Sequence, residues 1–195
     1  MTLPVAPMAL PAADGDNGGQ FTTHHVVDTH VRGKALSVVY TNDPVSVESS
    51  IQTMEHFLAE DKYRVVGFDL EYTIGRAGHD QKVAVAQLCV RHDVLVYHFH
   101  LATRPCEHFS RFIKSSDYSF AIVDTTNDLK ALKVSDWKCP NLVDIQHHYK
   151  VWGTDKSKLN SLIDLASAIT DPYNAKMKQE SNKDKNAWHS VWHKR

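Results

Sequence analysis

The chain has 195 residues, 42% of them hydrophobic and 23% charged, with a formal net charge of −1. That balance suits one soluble globular domain with a sizeable core, and it excludes a globally basic chain while leaving a local basic groove open. No stretch reaches the roughly 18 consecutive apolar residues of a membrane helix, so no membrane partner is expected.

The first 21 residues read as a disordered tail. Pro4, Pro7 and Pro11 interrupt the apolar letters, and Asp14 to Gly19 are polar or glycine throughout. The positive start and unbroken apolar run of a secretory signal are missing, as are the Arg and Ser of a transit peptide. Cys89, Cys106 and Cys139 are odd in number and form no C-x-x-C, which fits a reducing compartment. An intracellular location, nucleus or cytoplasm, is the expectation.

Residues 22–30 and 35–41 look like two strands joined through Arg32-Gly33-Lys34. Asn42-Asp43-Pro44 then supplies a cap and a proline suited to a helix start. Val47, Ile51, Met54 and Leu58 follow at helical spacing, giving an amphipathic helix to about Glu60. A strand over 64–72 leads into a polar loop with Gly75 and Gly78. The β-branched runs 83–90 and 93–99, separated by Arg91-His92, predict a hairpin that continues from that strand. A helix is predicted over 105–114 and a short buried strand over 119–123. Thr126-Asn127-Asp128 can cap a helix carrying Leu129, Leu132 and Val134. Leu142 to Ile145 form another short buried piece, and Leu159, Leu162, Ile163, Ala166 and Ile169 mark a further amphipathic helix. Beyond Asp171-Pro172 the chain turns polar and lysine-rich. Three meandering strands followed by helix–strand–helix–strand–helix predict an α/β fold with helices on the faces of a mixed sheet.

Thirteen histidines stand out, among them His98-x-His100, His147-His148 and His189-x₃-His193. The last pair would share one helical face, yet no Cys or third His falls at finger-like spacing, so surface and strand-edge histidines are the reading taken.

Chemistry concentrates in Val65-Val66-Gly67-Phe68-Asp69-Leu70-Glu71-Tyr72. A strand has a side-chain period of two, so Asp69 and Glu71 point to one face. Two carboxylates ending a core strand need a cation, and oxygen donors at this density suit Mg²⁺ or Mn²⁺. An isolated Asp-x-Glu more often marks the wet end of a strand. The partner that would raise it above that is Asp128, at a helix start after a strand expected to lie beside the acidic one. Taken alone Asp128 reads as a plain N-cap, and Asp124, at the strand end, is the second choice.

These segments resemble the 3′→5′ exonuclease domain of the DEDD superfamily, ribonuclease H-like in fold. The nearest likeness is to the exonuclease domain of the Werner-syndrome protein and similar plant proteins. V-V-G-F-D-L-E-Y at 65–72 is similar to the family's first motif, and K-V-A-V-A-Q-L-C at 82–89 to the strand that follows it. N-D-L-K-A-L at 127–132 is similar to the second motif; N-L-V-D-I-Q at 141–146 and K-L-N-S-L at 158–162 resemble the next segments. The likeness runs from about residue 35 onward. It implies a ribonuclease H-like sheet, a three-strand antiparallel meander plus two parallel strands flanked by helices, over residues 22–195. The third motif, Tyr-x-x-x-Asp after a Trp-containing segment, has no counterpart: Trp188 and Trp192 resemble that segment, and Tyr173 and Asp184 have the wrong spacing. The domain is therefore expected to be incomplete at its C-terminal helix.

By that resemblance Asp69, Glu71 and Asp128 hold Mg²⁺ or Mn²⁺, weakly if the set is incomplete, and hydrolyse a DNA or RNA 3′ end by a two-metal route. Arg76, Lys82 and Lys178, with Lys176, Lys183 and Lys185 behind them, are the candidates for tracking the phosphate backbone. Catalysis weakened by the missing tyrosine and fourth carboxylate is one expectation. The alternative is an inactive module of the same fold that binds nucleic acid or a protein. A bared C-terminal face would favour self-association or a protein partner.

Overall fold

The computed structural model describes residues 24–31, 34–73, 81–149, 151 and 160–169. Its elements run β1 (His24–Val31), β2 (Lys34–Thr41), α1 (Pro44–Glu60), β3 (Val65–Tyr72), β4 (Val83–Val90), β5 (Asp93–Tyr97), α2 (Glu107–Lys114), β6 (Ser119–Ile122), α3 (Thr125–Val134), β7 (Leu142–Asp144) and α4 (Leu162–Ile169). The tail expected over residues 1–21 lies outside the described residues.

Helix α1 forms where its sequence asks for it. Asp43 accepts from the backbone N–H groups of Val45 and Ser46, at 3.3 and 3.0 Å, and Pro44 occupies the first turn, where its missing N–H costs nothing. Its stripe of Val47, Ile51, Met54 and Leu58 is fully buried against α2 and the sheet. Burial of each such side chain contributes about 1.5–3 kcal/mol.

A seven-stranded sheet carries the order β1-β2-β5-β4-β3-β6-β7. β3, β4 and β5 form the antiparallel meander, and β6 and β7 add in parallel on the β3 side. The mixed α/β arrangement is the predicted one. The β1–β2 hairpin extends it, because β2 pairs in parallel with β5, from Ser37 opposite Asp93 to Thr41 opposite Tyr97. On β3 the alternation is clean: Val66, Phe68 and Leu70 are buried, while Asp69 and Glu71 are exposed on the other face. Phe68, Phe112 and Phe120 meet edge to face with centroids 5.6–5.8 Å apart, tying β3, α2 and β6 into one core.

Four sequence expectations need correction. The strand expected over 93–99 stops at Tyr97, and a 3₁₀ turn, Phe99–Leu101, follows as the Leu101 N–H bonds the His98 carbonyl at 3.1 Å. α2 starts at Glu107 rather than 105, with Cys106 as its cap. α3 is capped by Asp124, not by Thr126 to Asp128, and it buries Ala131 and Leu132 while Leu129 and Val134 face solvent. In α4, Leu165 is buried, while Leu162 and Ile169 lie exposed; Leu159 lies outside the described residues.

Candidate active site

Asp69 and Glu71 leave the exposed face of β3 near its C-terminal end. Across the ladder Asp69 stands opposite Gln87 of β4, whose amide reaches the Asp69 Oδ2 at 3.5 Å. Crowding by neighbouring protein raises the Asp69 carboxyl above its ordinary value. Glu71 is raised as well, first by loss of solvent and then by the charges of Asp69 and Asp128.

Asp128 comes from a different element. β6 delivers the chain to Asp124, whose backbone adopts the left-handed region (φ 63°), a conformation aspartate tolerates better than most residues. Asp124 accepts from the Thr126 N–H at 3.3 Å and opens α3. One turn into the helix, Asp128 is buried, 4% exposed, and faces the acidic strand. Burial moves its carboxyl up to about 6, opposed by a hydrogen bond from Tyr72 and assisted by the charges of Asp69, Asp124 and Asp144. The structure thus brings all three predicted carboxylates within one another's field.

Two residues of the site were not singled out by sequence. Tyr72 donates its phenolic hydrogen to the Asp128 Oδ1. Between Glu71 and Tyr72 the β3–β4 register slips, with Glu71 opposite Val85 and Tyr72 opposite Val83. Asp144, at the end of β7, fixes the start of α3: its Oδ2 accepts from the Thr125 N–H at 3.1 Å and the Thr125 hydroxyl at 3.2 Å. Its Oδ1 accepts from the Gln146 N–H at 3.0 Å. Burial pushes the Asp144 carboxyl up, but these bonds outweigh it and hold the group below its usual range. A signal for Asp144 did exist, an acid ending a short apolar strand, but its partner lies nineteen residues away.

Of the basic candidates, Lys82 is exposed at the entry to β4, and its backbone exchanges bonds with Thr73 just beyond β3. Arg76, Lys176, Lys178, Lys183 and Lys185 lie outside the described residues. Asp69, Glu71 and Asp128 offer oxygen donors, the chemistry a hard divalent cation prefers. Among the described residues, however, no three His, Cys, Asp or Glu side chains are drawn closely enough together to hold an ion. One Asp128 oxygen is engaged by Tyr72.

The profile of the 3′-5′ exonuclease family matches residues 44–192, a span that contains every residue of this cluster. The chain belongs to the 3′–5′ exonuclease family. Solved structures with the same fold include Trypanosoma brucei RNase D in complex with GMP, at a TM-score of 0.59 and 11% identity, covering 80% of this chain and 47% of that one. Escherichia coli RNase D, an exoribonuclease involved in structured RNA processing, aligns at TM-score 0.53 and 14% identity over 67% of this chain and 32% of its own. The Aedes aegypti Nibbler exonuclease domain aligns at TM-score 0.53 and 14% identity, over 80% and 74%. At these identities the likeness is one of fold. This exonuclease-family chain spans about a third of the Escherichia coli enzyme's length. No curated protein sequence matches it. Among the described residues no helix is long and apolar enough to cross a membrane.

Proposed function

We propose that this domain removes nucleotides from nucleic-acid 3′ ends with the help of divalent ions held by Asp69, Glu71 and Asp128. The observation that carries the reading is the convergence of these three carboxylates from β3 and α3 in a chain of the 3′–5′ exonuclease family. Mg²⁺ or Mn²⁺ bound there would supply an activated water and charge stabilisation for the departing 3′ oxygen. The chain's own part is to place the anions. The pleat of β3 sets Asp69 and Glu71 on one face, α3 brings Asp128 to meet them, and Gln87 steadies Asp69. Lys82, exposed at the entry to β4, would meet a phosphate of the bound strand.

No Tyr-x-x-x-Asp, the pattern of a water-orienting phenol and a fourth carboxylate, occurs in residues 151–195, and a domain working without that pair would be slow. The loss of one positioned acid–base partner typically lowers a rate by about 10²–10⁴. A second reading, a non-catalytic module that binds nucleic acid or a protein partner, is favoured by one observation: among the described residues no three such side chains come close enough together to hold an ion.

An oligonucleotide labelled at its 5′ end, incubated with Mg²⁺ or Mn²⁺, separates the two. The exonuclease reading expects a ladder of products shortened from the 3′ end, and at least about a hundredfold less of it with Asp69→Ala. Equal shortening by both proteins defeats that reading, and retained binding without shortening supports the module.

A further inference from the structure

Asp128 is the most deeply buried of the three carboxylates, a position in which a charged group ordinarily needs a partner. Among the described residues no Lys or Arg pairs with it, and the single hydrogen bond to its side chain comes from the Tyr72 hydroxyl. Tyr72 is itself packed against the hydrophobic core, so its ring is held on the carbon side and offers its hydroxyl to the acid side. Simple alternation along β3 would send Tyr72 to the face of Leu70, away from Asp69 and Glu71. Where the register slips, Ala84 of β4 is left without an opposing residue, and the Tyr72 hydroxyl reaches Asp128 of α3.

We propose that Tyr72 is a positioning residue for the divalent ion, acting through Asp128. By donating to Oδ1 it would fix the carboxylate's rotation and leave Oδ2 for the ion. Hydrogen-bond donors behind a ligating side chain commonly tune metal affinity by about 10- to 100-fold. The inference rests on the metal-binding reading given above, and it assigns Tyr72 a role that a merely packed aromatic would not have.

The test is Mn²⁺ binding to the full chain by titration calorimetry, with Tyr72→Phe, Asp128→Asn and the double variant forming a cycle. Phenylalanine keeps the ring and its packing, and melting without metal checks that each variant is folded. The expected result is a roughly tenfold weaker Mn²⁺ affinity for Y72F, and less than a twofold further effect of Y72F in the D128N background. Unchanged affinity in Y72F, with D128N weakened, overturns the role of Tyr72 and leaves the metal site standing. An equal effect of Y72F in both backgrounds shows that Tyr72 does not act through Asp128, and also overturns it. Wild-type protein that binds no Mn²⁺ overturns the metal reading and this inference together.

Discussion

Burial of Asp128 costs the metal-free fold stability, and the cost has a measurable pH signature. Its carboxyl is raised to about 6 by burial, so between about pH 4 and 6 the folded chain binds more protons than the unfolded one. Metal-free stability contributed by this group is therefore present in acid and lost as pH rises through that window. Asparagine keeps the shape and can still accept from Tyr72, but it cannot ionise. In EDTA at pH 8, Asp128→Asn should accordingly be more stable than the native chain by about 1–3 kcal/mol, a rise in melting temperature of several degrees. The advantage should vanish near pH 4. A variant less stable at pH 8, or one whose gain persists in acid, contradicts the account of why Asp128 is neutralised so easily. Asp69 and Glu71 were visible in the sequence because a strand's period of two puts alternate residues on one face. Tyr72 was not, because its partner on α3 lies 56 residues away.

At the scale of elements, α3 is the piece that has to be aimed, and Asp144 aims it. Three hydrogen bonds join this one carboxylate to Thr125 at the helix start and to Gln146 beyond β7. Bonds to a charged acceptor contribute about 1.5–3 kcal/mol each, with strong overlap when they share a group. Asp144→Ala should lower stability by about 2–3 kcal/mol at neutral pH. Because this carboxyl is held below its usual range, the penalty should fade as pH falls through the acid region, opposite in direction to the gain from D128N. Denaturant melts at pH 7 and pH 3.5 check both. A D144A penalty that is absent at pH 7 shows that α3 is anchored elsewhere. Helix α1 was legible to the residue, since its cap, its proline and its apolar stripe are all local. The start of α3 was not: Asp124 and Asp128 both make plausible caps, and the choice falls to Asp124 through a left-handed backbone that no spacing rule announces. Of the three apolar residues expected on this helix, Leu132 is buried with Ala131 beside it, while Leu129 and Val134 are exposed.

For the whole molecule, strand order explains why the acids meet. β3, β6 and β7 run parallel and adjacent, so their C-terminal ends open on one edge of the sheet. Asp69 and Glu71, then Asp124 leading to Asp128, then Asp144, lie at those three ends in turn. Open α/β sheets place ligands in such a crevice. The meander and the two parallel strands could be read from apolar runs and their separations. The parallel docking of β2 on β5 could not, because it joins segments more than fifty residues apart through a backbone ladder that carries no sequence pattern. The central claim, that this crevice hydrolyses nucleic acid from its 3′ end, is tested most directly with an oligonucleotide carrying its label on the 3′-terminal nucleotide. With Mg²⁺ or Mn²⁺ the account predicts that label appears first as a mononucleotide, that EDTA stops its release, and that Asp69→Ala releases at least about a hundredfold less. Label released within longer fragments, or released equally in EDTA or by the variant, would contradict it.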